Sequence, residues 1–181
     1  DKVDLTDYTP KKSELTLSDK WLICLTDKFV TDARKAMDEY ETKPVIDAFE
    51  KYIDEVSNFY IRINRRRFWK SEDDNDKKNA YYVLFDAIKR STQVLAPMTP
   101  FLTEYIWQTI ITKYTKDEPE SVHLSKYPVA SKFKIDESII NETSNLREII
   151  SLALRARNEK NIKVRQPLQT LYVMNKIEHK E

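Results

Sequence analysis

Arg62, Arg65, Arg66, Arg67 and Lys70 put five positive charges into nine positions with no acid among them, interleaved with Phe68 and Trp69. Guanidinium groups hold phosphates through paired donors, and aromatic rings stack on unpaired bases. At helical spacing Asn58, Arg62, Arg65 and Trp69 share one face. A plainer account fits the spacing equally well. Cations favour the C-terminal end of a helix by a few tenths of a kcal/mol to about 1 kcal/mol, and these arginines could bridge to the acidic stretch 72–76 or pin the chain to a neighbour. A second cluster sets five cations, Arg155, Arg157, Lys160, Lys163 and Arg165, against the single acid Glu159 at a helix end and its following loop. That pattern suits a polyanionic partner; its bland counterpart is a solvated helix end.

Other reactive residue types are placed without a catalytic pattern. The pair Asp73 and Asp74 sits in a run of charges and reads as solvated surface rather than as a general acid and base. His123 and His179 are far apart and lack metal-ligand spacing. Cys24 lies in the apolar run 21–25 and reads as a buried small hydrophobe; as the single cysteine it has no internal disulfide partner, which points to a reducing, intracellular home. No site for catalysis, metal or cofactor is expected in this chain.

The elements that must position the two basic clusters are helices. The 181 residues contain no glycine, where average usage would supply about 13. Glycine is the default for left-handed backbone and for loops that cradle phosphate, so P-loops and dinucleotide-binding turns are excluded and tight-turned sheets disfavoured. Net charge is only +1, so distribution rather than total carries the information. No apolar run reaches the length of a membrane span.

The apolar spacing predicts five helices. Ser18 should cap the first, with Leu22, Leu25, Phe29, Ala33, Ala36 and Tyr40 as its stripe. Thr42 should cap the second, with Pro44 in its first turn and a stripe of Val45, Phe49, Tyr52, Val56, Phe59 and Ile63. After an acidic loop at 71–76, a third should turn Tyr81, Leu84, Phe85, Ile88 and Leu95 inward. Thr99 and Pro100 should open a fourth carrying Leu102, Tyr105, Ile106, Trp107 and Ile110. An extended connection follows over 115–135, then a fifth helix striped by Ile139, Thr143, Leu146, Ile150 and Ala153. Residues 168–174 read as one strand, which is not stable alone, and the chain opens on Asp1; both features predict a longer parent. The expected organisation is a lead-in at 1–17, an all-α antiparallel helix bundle at 18–160, and a junction at 161–181 with the short C-terminal strand.

Several segments resemble the anticodon-binding domain of class I aminoacyl-tRNA synthetases, of the isoleucyl subclass. Asp19-Lys20-Trp21 is similar to the start of a bundle helix in that group. So is the aromatic pair Phe59-Tyr60 followed by arginines and Phe68-Trp69. Leu95-Ala96-Pro97-Met98-Thr99-Pro100-Phe101, with Thr103, Glu104 and Trp107, resembles a helix pair shared by the isoleucyl, valyl and leucyl enzymes. Ser121-Val122-His123-Leu124 with Pro128 fits the connection after it. The run Arg155-Ala156-Arg157, then Ile162-Lys163-Val164-Arg165-Gln166-Pro167-Leu168, narrows the likeness to the isoleucyl subclass. The resemblance covers about residues 19–174.

It implies a cytoplasmic parent enzyme that joins isoleucine to its tRNA with ATP and Mg, both bound in a catalytic domain outside this chain. Here it implies binding of the anticodon arm of isoleucine tRNA. Arg155, Arg157, Lys160, Lys163 and Arg165 are then backbone or anticodon contacts, and His123 a base-edge or stacking residue. Arg62, Arg65 and Arg66 face the tRNA or pack on the catalytic domain, while Trp21, Phe59 and Trp107 are core. The alternatives are the equivalent domain of a valyl or leucyl enzyme, or a helical protein-interaction module that binds no RNA.

Overall fold

A computed structural model describes Leu5 and residues 8–69, 74–133 and 135–173. Lys70, Met174, His179, most of the lead-in before Tyr8 and the start of the acidic loop lie outside the described residues. The described chain is helical and contains no strand. It divides into two compact units, Asp1–Ile135 and Asp136–Glu181.

In the first unit α1 spans Leu17–Asp38, α2 Thr42–Asp54 and α4 Asn75–Leu95, with the short α3 at Arg65–Phe68 between the last two. Helix α1 begins two residues earlier than the Ser18 cap predicts. The Thr16 side chain accepts from the Asp19 amide while the Asp19 carboxylate accepts from the Thr16 amide, a capping box that satisfies two otherwise orphaned donors. The Ser18 hydroxyl donates instead to Asn64 Oδ1 at 3.1 Å. Helices α1 and α2 run antiparallel: Trp21 meets the edge of Phe59 at 4.9 Å between centroids, Thr26 bonds Tyr52 at 3.0 Å, and Phe29 lies 5.9 Å from Phe49. Tyr52 and Tyr60 then donate to the Ala87 and Ala80 carbonyls, so α2 and α4 are antiparallel as well.

The predicted stripes of α2 and α4 are both corrected. On α2 the buried positions run Val45, Tyr52 and Val56 as predicted, but continue at Tyr60 and Asn64 rather than at Phe59 and Ile63. The cause is a π-helical turn at Glu55–Ile61, whose wider winding inserts one residue and moves the inward face by one position. Ile63 is consequently exposed, and Phe59 is half-buried against Trp21. On α4 the small residues Ala80, Val83 and Ala87, with Val94, are fully buried, whereas Tyr81, Leu84, Phe85, Ile88 and Leu95 are half-buried. Small side chains allow α1 to approach the α4 backbone closely, and the larger ones flank that contact.

Helix α5 (Pro100–Ile106) takes Pro100 at its first position, continues through a second π-helical turn at Trp107–Ile111 and ends in the short α6 (Thr112–Tyr114). Trp107, Ile111, Ala96 and Val122 make a separate core cluster with Phe85 and Ile110. Leu102 and Tyr105, predicted to accompany Trp107, are exposed instead, because the inward face is taken by Thr103, Trp107 and Ile111. The connection to residue 135 is strapped onto the bundle. Buried Arg90 donates to Asp27 Oδ1 at 2.5 Å and to the Val129 carbonyl at 2.9 Å, and the Tyr127 hydroxyl donates to the Val30 carbonyl at 3.1 Å. Cys24 is buried and forms no disulfide, and no described helix is long and apolar enough to cross a membrane.

The second unit is α7 (Ser138–Glu159) and the segment after it. Ile139 is buried, but Leu146 and Ile150 of the predicted stripe are exposed. The predicted C-terminal strand is absent: residues 168–173 have no regular structure, since a strand needs a ladder partner and none of the described residues supplies one.

Glycine is missing even where the backbone is left-handed. Tyr40 and Asn161 have φ of 58° and 56°. Each is the residue after a helix cap in a Schellman motif: Glu41 N–H bonds the Ala36 carbonyl and Ile162 N–H the Arg157 carbonyl, both at 2.8 Å. Asparagine tolerates this conformation readily; tyrosine adopts it only at a cost. Tyr40 is also 94% exposed, so it recovers little through packing. Tyr40→Gly should therefore raise the unfolding free energy by about 1 kcal/mol, seen as a higher urea midpoint at unchanged slope.

Candidate nucleic-acid interface

The first basic cluster is split by the fold. Arg67 turns inward. Its two terminal nitrogens donate to the two oxygens of Asp19, each at 2.8 Å, in a bidentate pair. The same guanidinium also reaches Asn64 Oδ1 at 2.8 Å and the Asp76 carbonyl at 3.1 Å, with Nε 2.9 Å from the Asp76 carboxylate. Asp19 is fully buried and also accepts from the Tyr60 hydroxyl at 2.8 Å. Burial alone would push the Asp19 carboxyl up, but the Arg67 pairing and the Tyr60 and Thr16 hydrogen bonds outweigh it and hold the group below the usual carboxylate range. Burial works against the Arg67 charge in turn, and Asp19 and Asp76 more than restore it. Phe68 follows Arg67 into the core, edge-on to Tyr60 and Tyr81.

With Arg67 and Phe68 taken inside, Arg62, Arg65, Arg66 and Trp69 are left on the surface. Arg65 lies over the Trp69 ring at 4.2 Å from its centroid. None of the three exposed arginines forms an ion pair among the described residues, in contrast to Arg67 and Arg90. The plain account of the cluster therefore holds for Arg67, which bridges to Asp76, and leaves its neighbours open to a partner.

His123 is exposed on a 3-10 turn, Val122–Leu124, that is clamped from below. Glu104 Oε2 accepts from the Ser121 hydroxyl at 2.9 Å and the Val122 amide at 3.1 Å, and Oε1 accepts from Gln108 at 2.8 Å. Gln108 also donates to the Glu120 carbonyl, and Trp107 Nε1 to the Pro119 carbonyl at 2.9 Å. The Gln108 hydrogen bond, opposed by partial burial and joined by Ser121, Val122 and the charge of His123, keeps the Glu104 carboxyl below its ordinary range. Val122 is buried beneath the turn. Sequence reading found His123 but missed this clamp; Glu104 and Gln108 at helical spacing were its visible part. Val122, the neighbour of His123, packs with Ala96 just past the C-terminal end of α4, whereas Arg67 bonds Asp76 at the N-terminal end. That helix is about 30 Å long at 1.5 Å per residue, so the two are not one constellation.

The second cluster is gathered by the end of α7. Arg155 pairs with Glu159 at 3.1 Å on the surface. Arg157 is partly buried and donates to the carbonyls of Lys163 at 3.0 Å and Gln166 at 2.9 Å, folding the loop back on the helix. Lys160, the C-cap, and Lys163 and Arg165 in the loop are exposed, with no ion pair among the described residues. The partial negative charge at the helix C-terminus favours these cations, and no carboxylate among the described residues quenches them. Among the described residues no group of three or more His, Cys, Asp or Glu is arranged to hold a metal ion.

A helical chain with a strapped connecting loop and two unneutralised cationic surfaces matches a known protein class. The family model for the anticodon-binding domain of tRNA ligase covers residues 19–172, and the chain belongs to that family. Isoleucine–tRNA ligase of Treponema pallidum (strain Nichols) is 40% identical over 158 residues, 87% of this chain and 14% of that protein. The Dehalococcoides mccartyi (strain CBDB1) isoleucine–tRNA ligase is 35% identical over 175 residues, 94% of this chain and 17% of that protein. The enzyme of the same name from Treponema denticola is 36% identical over 156 residues, 86% and 14% respectively. The chain thus spans less than a fifth of the length of the curated relatives it matches.

Proposed function

We propose that this chain is the RNA-recognition domain of an isoleucine–tRNA ligase, binding the anticodon arm of isoleucine tRNA while a catalytic domain of the same enzyme aminoacylates the acceptor end. The reading is carried by the family match over residues 19–172 together with the unpaired cations Lys160, Lys163 and Arg165 at the end of α7. Anticodon bases are single-stranded, so they can be splayed, stacked and contacted edge-on, while lysine and arginine follow the phosphates. Arg155 and Arg157 support that surface in different ways: the first is tethered to Glu159, and the second shapes the loop that carries Lys163 and Arg165. His123 on its clamped turn is a further contact. ATP and magnesium belong to the parent's catalytic domain. This chain has no glycine with which to build a phosphate-cradling loop. The reading puts the protein's work in the cytoplasm, where the thiol of Cys24 stays reduced.

An isoleucine tRNA anticodon stem-loop, labelled for fluorescence anisotropy, tests this with the 181-residue chain. Affinity should fall steeply with salt. Replacing Lys160, Lys163 and Arg165 by glutamine should flatten the logarithmic salt dependence by about 2, at about 0.7 per lost single-strand phosphate contact. Absence of any binding at low salt overturns the reading. An unchanged slope in the triple variant removes α7 from it.

A further inference from the structure

We propose that the Arg65–Trp69 pair, flanked by Arg62 and Arg66, is a stacking platform for an unpaired base of the RNA partner, an inference that rests on the RNA-binding reading above. Trp69 is 70% exposed, whereas Trp21 and Trp107 are 3% and 0% exposed. Large aromatic rings leave water when a core position is available, and next to Trp69 one is: Phe68 occupies it, edge-on to Tyr60 and Tyr81. The backbone is pinned there by the Tyr81 hydroxyl on the Phe68 carbonyl at 3.3 Å and by the Trp69 amide on the Arg65 carbonyl at 3.2 Å. Burying Arg67 and Phe68 in succession directs the next side chain outward, and Arg65 then orders the ring by lying 4.2 Å from its centroid. The result is an exposed aromatic surface stacked with Arg65, on a segment that also exposes Arg62 and Arg66, none of the three paired with a described carboxylate.

The chemistry of this surface selects its partner. An apolar protein face would cover the ring but strand three desolvated cations. A carboxylate-rich protein face would satisfy the cations without using the ring. An unpaired nucleotide supplies both a π-face for the tryptophan and a phosphate for the arginines. The surface is distinct from the turn that bears His123, so it adds a further contact. It is also the part of the arginine cluster that the inward turn of Arg67 leaves free.

Tryptophan fluorescence tests it directly, because Trp69 is the one tryptophan of the three that a quencher can reach. An anticodon stem-loop added at low salt should quench the emission and shield the ring from acrylamide, and Trp69→Phe should abolish both signals. Trp69→Ala should weaken anisotropy-measured affinity about 5- to 100-fold, as for loss of one stacked base, with Trp69→Phe restoring most of it. Unchanged circular dichroism and melting would confirm that the variant is folded. If the RNA binds but acrylamide access and the Trp69→Ala affinity are unchanged, the platform is wrong while the RNA reading stands. Failure of the unmodified chain to bind RNA at low salt overturns both.

Discussion

Replacing Arg67 with alanine should cost about 3–5 kcal/mol of folding free energy, because it leaves the fully buried Asp19 carboxylate without its counter-charge. The pair joins α1 to the segment between α2 and α4, and its hydrogen bonds extend to Tyr60, Asn64 and Asp76. Loss of one partner therefore loosens three helices together. The pH dependence follows from the Asp19 carboxyl, which is held below its unfolded value of about 3.9. The stability it contributes is complete above that value and is lost as pH falls through the lower, folded pKa. The gap between the wild-type chain and Arg67→Ala should thus be widest well above the carboxylate range, where both folded forms carry the charge. It should narrow steadily as pH falls, first as the variant's raised Asp19 carboxyl takes up a proton and last as pH passes the lowered wild-type pKa. Urea titrations at a series of pH values measure this. A gap under about 1 kcal/mol at neutral pH would show the pair to behave like a surface ion pair.

The second large effect is expected at Trp107. Its ring is completely buried among Ala96, Ile111 and Val122, and its Nε1 holds the Pro119 carbonyl at 2.9 Å. Trp107→Ala should cost about 3–5 kcal/mol through the cavity left behind. Trp107→Phe keeps most of the packing but drops the hydrogen bond, and should cost about 1–3 kcal/mol. The two variants separate packing from tethering. In both, amide exchange at Val122 and His123 should quicken, because the turn bearing His123 loses the anchor upstream of it. Protection that stays at the wild-type level would mean that Glu104 alone holds the turn.

These two sites show what could be read from the sequence. The helices were legible because their apolar residues recur every three or four positions, and Pro44 and Pro100 fall in first turns where a missing N–H costs nothing. The burial of Trp107 was legible for the same reason, that of Cys24 from the apolar run around it, and that of Trp21 from the family resemblance. The face of the α2 extension was not. A π-helical turn leaves no periodic signature, and its one extra residue put Tyr60 and Asn64 inside where the spacing predicts Phe59 and Ile63. The division of labour among the arginines depends on that turn. Asp19 and Arg67 are 48 positions apart, and no local pattern links them.

By itself the sequence determined that this is an all-helical chain without a phosphate-cradling loop, that its cations fall in two clusters, and which family it resembles. All three rest on residue type and local spacing, which short-range physics reads directly. The tertiary structure decided which of the clustered cations bind and which build. Arg67 and Arg90 became internal ties and Arg157 a loop clamp, because each was brought within hydrogen-bond reach of acceptors far along the chain or around a bend. Arg62, Arg65, Arg66, Lys160, Lys163 and Arg165 remained at the surface because packing brought no carboxylate to them among the described residues. Charge type is a property of the residue, but whether the charge is spent inside or offered outside depends on what folding places around it.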